Sequence, residues 1–589
     1  MFMRPVYRFV VLALTAVLFY QCQKEVSYVG SGDPGQVVLP NPLKANLQGN
    51  VLDENGQPAE NVVIKVGSEF STTDDKGYFR MNNAALDKNA ALVSAQKAGY
   101  FTAYRTFNAT SGTNQVVIKL IKKNLSGTVS GTNGGDVTLT NGTKISLPGN
   151  GIVKASDNSN YTGTVNVYAS FIDPTAADIL ERVPGSFMAN DKDGKRVFLT
   201  SYGMMAVELE STAGEKLQVK SGNTATLTYA IPSSLQSTAP ATIPLWYVDE
   251  ATGLWKEEGV ATKQGNNYVG TVQHFSFWNC DIGVPAITLN TTLKTSKGLP
   301  LVNASVVISA DKYGSAFGYT DSLGQVKGLV PANTNLTLEV RDNCGATIYS
   351  KNIGSFDKNA DLGSITVTPT SQSLVTVSGK LTNCSGANLA KGYAIVSINN
   401  YVRYAKVDGS GNFSTNFLLC SITGNVQVLG VDETTQQQGN ISTVAVAAPT
   451  TDVGTIAACG TSSTQFINYT LDGTPYTISE LDSLTAFTNA QGTPLTTYIS
   501  GFQINGNNIT NTISFKFDHS NYVTGSYPVV SFSVRNINNP TLVQPFNVTM
   551  TNIPQAAGQF YEGNLTGQFK DASNVTHTIS CSFRIRRTF

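Results

Sequence analysis

Three stretches decide the fold. The first runs Gly49-Asn50-Val51-Leu52-Asp53-Glu54-Asn55-Gly56-Gln57-Pro58-Ala59-Glu60-Asn61-Val62-Val63-Ile64. The second runs Leu293-Lys294-Thr295-Ser296-Lys297-Gly298-Leu299-Pro300-Leu301-Val302-Asn303-Ala304-Ser305-Val306-Val307-Ile308, and the third opens Ser378-Gly379-Lys380-Leu381-Thr382-Asn383-Cys384-Ser385-Gly386. Each reads strand, glycine turn, strand. A second signature follows each: Thr73-Asp74-Asp75-Lys76-Gly77-Tyr78-Phe79, Thr320-Asp321-Ser322-Leu323-Gly324-Gln325-Val326 and Val407-Asp408-Gly409-Ser410-Gly411-Asn412-Phe413. The Asp side chain starts a turn, the Gly supplies positive φ, and an apolar residue re-enters the core. Corresponding glycines recur at a constant spacing. Gly298 and Gly386 lie 88 positions apart, Gly324 and Gly411 87, and Gly363 and Gly454 91. Such a period predicts one small β-sandwich per repeat.

Composition agrees. The chain has 589 residues, 40 Lys+Arg against 40 Asp+Glu, and only 14% charged residues. An average soluble protein carries roughly 25%. The polar surface must therefore come from Asn, Thr, Ser, Gln and Gly, which favour strands and turns over helices. The expected class is all-β, with tandem immunoglobulin-like or prealbumin-like sandwiches and minimal helix. A neutral chain without a basic run is a poor nucleic-acid ligand, because that binding rests on phosphate neutralisation.

The repeat opening and the Thr-Asp-x-x-Gly-x-Phe signature resemble the carboxypeptidase regulatory-like domain, a sandwich similar to collagen-adhesin B-type repeats. The resemblance implies no peptidase metal site. It covers 45–123, 286–370 and a divergent 371–460. Residues 124–285 carry Val183-Pro184-Gly185-Ser186-Phe187, Leu245-Trp246-Tyr247-Val248-Asp249 and His274-Phe275-Ser276-Phe277-Trp278. They resemble a β-rich region of cartilage intermediate layer protein-like sequences, which implies a structural module. One short helix is expected, capped by Asp173 with Pro174 at its first position and ending before Pro184. Residues 461–589 read as a last β module.

The N-terminus reads as an address. Arg4 and Arg8 precede the apolar run Val10 to Tyr20, which is signal-peptide grammar over 1–21. Gln21-Cys22-Gln23-Lys24-Glu25 follows and resembles a bacterial lipobox, which implies a diacylglycerol on Cys22 and an outer-membrane, surface-exposed lipoprotein. The Gly-, Ser- and Pro-containing stretch within 22–44 reads as a tether.

No His-Glu-x-x-His, Gly-x-Ser-x-Gly or Walker glycine pattern occurs, so no catalytic, cofactor or metal residues are assigned. Asp74-Asp75 and Asp191-Lys192-Asp193-Gly194 read as solvated turns rather than Ca²⁺ ligands. His274 reads as a partly buried, hydrogen-bonded side chain. Trp246, Trp255 and Trp278 are the candidate ligand-stacking aromatics, with a shared core as the competing reading. Six cysteines remain after Cys22. By analogy with such sandwiches the first expected disulfide is Cys384–Cys420, closing a loop of about 36 residues worth roughly 3–4 kcal/mol. The functional expectation is a non-enzymatic cell-surface lipoprotein acting as a display, adhesion or binding scaffold, anchored to the membrane and facing a glycan or an extracellular protein. The alternative is a carbohydrate-binding lipoprotein of a glycan-uptake system. Five modules in line would place 461–589 furthest from the anchor.

Overall fold

The strand Pro42–Leu52 begins the first repeat and sets the plan for all three. It pairs antiparallel with Tyr78–Asp87 and parallel with Asn114–Lys119. A four-stranded sheet of Glu69–Thr72, Val63–Val66, Ala91–Gln96 and Ala103–Phe107 covers it. The second repeat reproduces this order. Phe277–Thr295 lies between Gln325–Pro331 and Ala360–Val367, facing Gly314–Tyr319, Ser305–Ala310, Leu336–Arg341 and Thr347–Gly354. In the third, Leu374–Thr382 lies between Asn412–Leu418 and Thr450–Ala457. This computed structural model describes residues 40–587 except 370–373, 436, 463–464, 480–481, 490–493, 506–507, 536, 539 and 556–558. Cys22 lies outside the described residues.

The repeated turn explains why the sequence folds this way. Asp74 Oδ1 accepts from the backbone N–H of Lys76 and Tyr78, Asp321 Oδ1 from Leu323 and Gln325, and Asp408 Oδ1 from Ser410 and Asn412. Gly77, Gly324 and Gly411 follow with φ of +66°, +77° and +82°. A Cβ there would sit 2.4, 2.4 and 2.6 Å from the carbonyl oxygens of Val51, Leu293 and Leu381. Glycine is thus required twice over, by φ and by contact. In the first two repeats the Thr before the Asp is a buried clip. Thr73 Oγ1 donates to Ala59 O and accepts from Val62 N–H, and Thr320 repeats this with Leu301 O and Ala304 N–H.

The middle module is also β. Arg196–Ser211 pairs with Thr164–Ile172 on one side and with the first half of Phe277–Thr295 on the other. The second half of that 19-residue strand belongs to the second sandwich, so the chain crosses position 285 inside one strand. The helix differs from expectation. It is the single turn Ile179–Arg182, and Asp178, not Asp173, precedes it. Asp173 Oδ1 instead accepts from the N–H and hydroxyl of Thr175 in a local turn. The C-terminal module is a ten-stranded sheet that includes Gly525–Val534, Phe560–Lys570 and Thr576–Arg586. In the last of these, Ile579, Cys581, Phe583 and Ile585 alternate inward with strand period.

The modules do not extend in line. Among the described residues, 40–587, they cluster as one compact unit. The first sandwich touches all the others. Asn82 Nδ2 donates to Asp482 O at 2.7 Å, so the C-terminal module packs beside the first sandwich rather than at the far end of a stalk.

Candidate functional site: the module junctions and the groove beside Trp278

The three tryptophans form no exposed platform. Trp246, Trp255 and Trp278 are 1%, 0% and 0% exposed. Each Nε1–H is satisfied by a backbone carbonyl: Asp281 at 2.9 Å, Ser186 at 2.8 Å and His274 at 2.9 Å. They also divide between two cores. Trp278 packs with Tyr229 and Tyr268, whereas Trp246 and Trp255 pack with Phe101, Val248 and Phe277. Burial of an aromatic body with a paired N–H gains more than exposure, so the ligand-stacking expectation is overturned.

What remains open to solvent nearby is a groove of about 340 Å³ lined by Tyr104, Glu208, Gln218, Tyr247, Glu250 and His274, among others. Gln218 clamps the backbone of Phe275, its Oε1 accepting from Phe275 N–H and its Nε2 donating to Phe275 O. The half-buried His274 ring lies 4.7 Å from Tyr247 and 5.1 Å from Trp278, with Nε2 3.9 Å from Glu258. Burial holds its pKa below the ordinary histidine value. Asp191 Oδ1 is occupied by the N–H groups of Asp193 and Lys195, as a turn requires. Among the described residues no group of three or more His, Cys, Asp or Glu could hold a metal ion.

The cysteines pair differently from expectation. Cys344 bonds Cys420, joining the second and third sandwiches, and Cys384 bonds Cys459 within the third. Strand register gives the reason. Leu374 pairs with Leu418, so Cys420 lies beyond the start of the opening strand, whereas Cys384 lies beyond its end. Nine residues of strand, roughly 30 Å, separate those two ends. The parallel partner instead places Ala457 opposite Thr382, which brings Cys459 to Cys384 with a Cα separation of 5.0 Å. Cys280 and Cys581 are buried free thiols, and burial pushes both pKa values up.

The junctions hold the residues that the sequence left unassigned. Asp321, 1% exposed, uses Oδ1 for its own turn. Its Oδ2 accepts from the Thr110 hydroxyl at 2.8 Å and Gly112 N–H at 3.0 Å of the first sandwich. Next to it, Thr113 N–H donates to Ser322 Oγ and Asn303 Nδ2 donates to Gln115 Oε1, both at 2.8 Å. The third sandwich meets the first through Asn50 Nδ2 to Asn400 O and through the Arg80 guanidinium over the Tyr404 ring at 4.5 Å. A polar cavity of about 130 Å³ where the first, third and C-terminal modules meet is lined by Glu69, Asp74, Asp482 and Arg586, among others. Burial pushes Glu69 up to about 7 and raises Asp74 and Asp482. These contacts link residues up to 400 positions apart, and no local motif announces them.

No family model matches the chain. It is 30% identical over 118 residues to human cartilage intermediate layer protein 2, a stretch covering 20% of this chain and 10% of that protein. Among solved structures it is similar to the shaft pilin SpaA of Lactobacillus rhamnosus GG, with 11% identity, TM-score 0.17, 30% of this chain and 99% of that one. It is also similar to the minor pilin GBS52 of Streptococcus agalactiae, with 10% identity, TM-score 0.13, 30% and 97%. A DUF3823 family protein of Bacteroides ovatus gives 9% identity, TM-score 0.11, 36% and 98%. Superpositions at those scores carry no functional argument.

Proposed function

We propose that this chain is a non-enzymatic cell-surface scaffold, tethered by a lipid on Cys22 and built to present a rigid block of β modules to an extracellular partner. The single observation that carries the reading is the use made of the repeated motif. At Asp321 one oxygen builds the repeat and the other locks that repeat to its neighbour. Two disulfides, one of them between sandwiches, support an oxidising, extracytoplasmic setting. The regulatory-like and cartilage intermediate layer protein-like resemblances fit the same role, as does the lipobox-like Cys22. The glycan-binding alternative loses its tryptophan platform. A C-terminal module packed on the first sandwich is not the far end of a stalk, so the block as a whole, not 461–589 alone, is the surface offered to a partner.

The reading is tested in cells. Cys22→Ser should move the protein from the membrane fraction to the soluble fraction. Protease added to intact cells should degrade the wild-type protein. Unchanged membrane attachment of the variant refutes the anchor, and full protection from protease refutes surface display.

A further inference from the structure

Arg105 is a charged side chain that folding has put away with no ion-pair partner within 4.0 Å among the described residues. It sits on Ala103–Phe107, at the junction of the first sandwich, the middle module and the second sandwich, and is 3% exposed. Its Nη2–H donates to Glu181 O at 2.7 Å and its Nη1–H reaches Gly185 O at 3.4 Å. The Phe317 ring of the second sandwich lies 4.9 Å from the guanidinium carbon. The Nε–H is buried and has no acceptor. Among the described residues Arg105 forms no ion pair within 4.0 Å; the Glu181 carboxyl acts on it only from farther away. Burial accordingly pulls the guanidinium down to about 10.

Arg105 lines a cavity of about 50 Å³. A single water needs about 10–15 Å³ of such space, so there is room for more than one water or for one small ion. Lys327 also lines it, its Nζ donating to Asn89 Oδ1, and burial and Lys88 lower its pKa while Asp87 opposes them. Among the described residues that line the cavity there is no carboxylate, and the nearby Asp321 Oδ2 is already committed to Thr110 and Gly112. Arg105, buried and with an unmet donor, therefore faces a cavity whose described lining holds no carboxylate, with the partly exposed Lys327 at its side. Buried charge of that kind is costly unless paired.

We propose that this chamber is an anion site, which takes a halide or a formate-sized carboxylate against the Arg105 guanidinium and so ties the three modules together. Charge sets the sign of the ligand, and volume sets its size. Phe317 and the other apolar walls favour a singly charged, weakly hydrated ion over a multiply charged one. The site is independent of the surface-scaffold reading.

The test uses the full-length chain. Thermal unfolding is followed while sodium gluconate is replaced by sodium bromide or sodium formate at constant ionic strength. A saturable rise in Tm is expected. Lys327→Gln should weaken the apparent affinity about tenfold, the loss expected for one charge-assisted contact. Arg105→Met should abolish the rise. Bromide-soaked crystals should show an anomalous peak beside Arg105. No saturable rise in the wild type, an unchanged midpoint in Lys327→Gln, or a cavity holding water with no bromide peak each overturns the proposal. Should Arg105→Met fail to fold, the milder variant and the diffraction experiment still decide.

Discussion

The second and third sandwiches share a turn, a topology and a spacing, yet they are held in the molecule by different means. In the second, Asp321 is buried and its spare oxygen binds the first sandwich. In the third, the equivalent Asp408 faces solvent, and its spare oxygen accepts from Asn412 Nδ2 of the same turn. The third sandwich is instead tied covalently, to the second through Cys344–Cys420 and to itself through Cys384–Cys459. One local motif can therefore be a free turn or a clamp, and only the neighbour decides which. A carboxylate has two oxygens, and the turn needs only one of them.

The largest expected effect removes the covalent ties. Replacing Cys344 and Cys420 by Ser opens a loop closed over 76 residues, worth about 4 kcal/mol in the chain-entropy model. Urea unfolding should separate the third sandwich from the second in that variant, and peptide mapping without reduction should recover both cystine pairs from the wild type. Cys280 and Cys581 should react with alkylating agents only after denaturation.

Next comes the comparison of the two aspartates. Asp321→Ala removes two turn bonds and two charge-assisted junction bonds in a buried place, for a loss of about 3 kcal/mol. Asp408→Ala removes a solvated turn, for about 1 kcal/mol. Asp321→Asn sharpens the contrast. It keeps Oδ1 for the turn but turns an NH₂ towards the donors Thr110 and Gly112, so the junction should loosen while the second sandwich stays folded. Hydrogen exchange would report this as faster exchange at 110–114. Equal losses for Asp321→Ala and Asp408→Ala in urea titrations would break the comparison.

Smaller effects are read by pH. Glu69, raised by burial to about 7, binds its proton more tightly when folded. Its contribution is fully present below about pH 4.5 and is lost as pH rises through about 7. Glu69→Gln should flatten that slope and raise Tm at pH 8. His577 in the C-terminal module also has a raised pKa, chiefly through its 2.7 Å contact with Asp472. That contribution is present below the unfolded histidine value and disappears as pH rises through the folded one. His577→Gln should remove this slope while leaving the Glu69 slope in place.

Much of this architecture was legible in the residues. The Asp-x-x-Gly turns, the strand alternation and the repeat spacing all follow from interactions within four residues or from a period of two. The all-β class and the three repeats follow from them. The site was less legible. The groove beside Trp278 includes His274, whose partly buried, aromatic surroundings were foreseen, but Gln218 joins it from 57 positions away. The buried Thr before the Asp separates the first two repeats from the third, which has Val407, but Thr73 and Thr320 share it, so no local feature singles out Asp321 as the clamp.

What the sequence determined by itself is therefore local: where the chain turns, which residues alternate inward, and that the unit recurs. Tertiary structure alone decided which cysteines meet, where the tryptophans hide and whether the modules stand in line or close on one another. The physical reason is range. A turn bond is made within the segment that encodes it, whereas a disulfide, a core or a junction depends on strand register and on surfaces brought together from hundreds of residues apart.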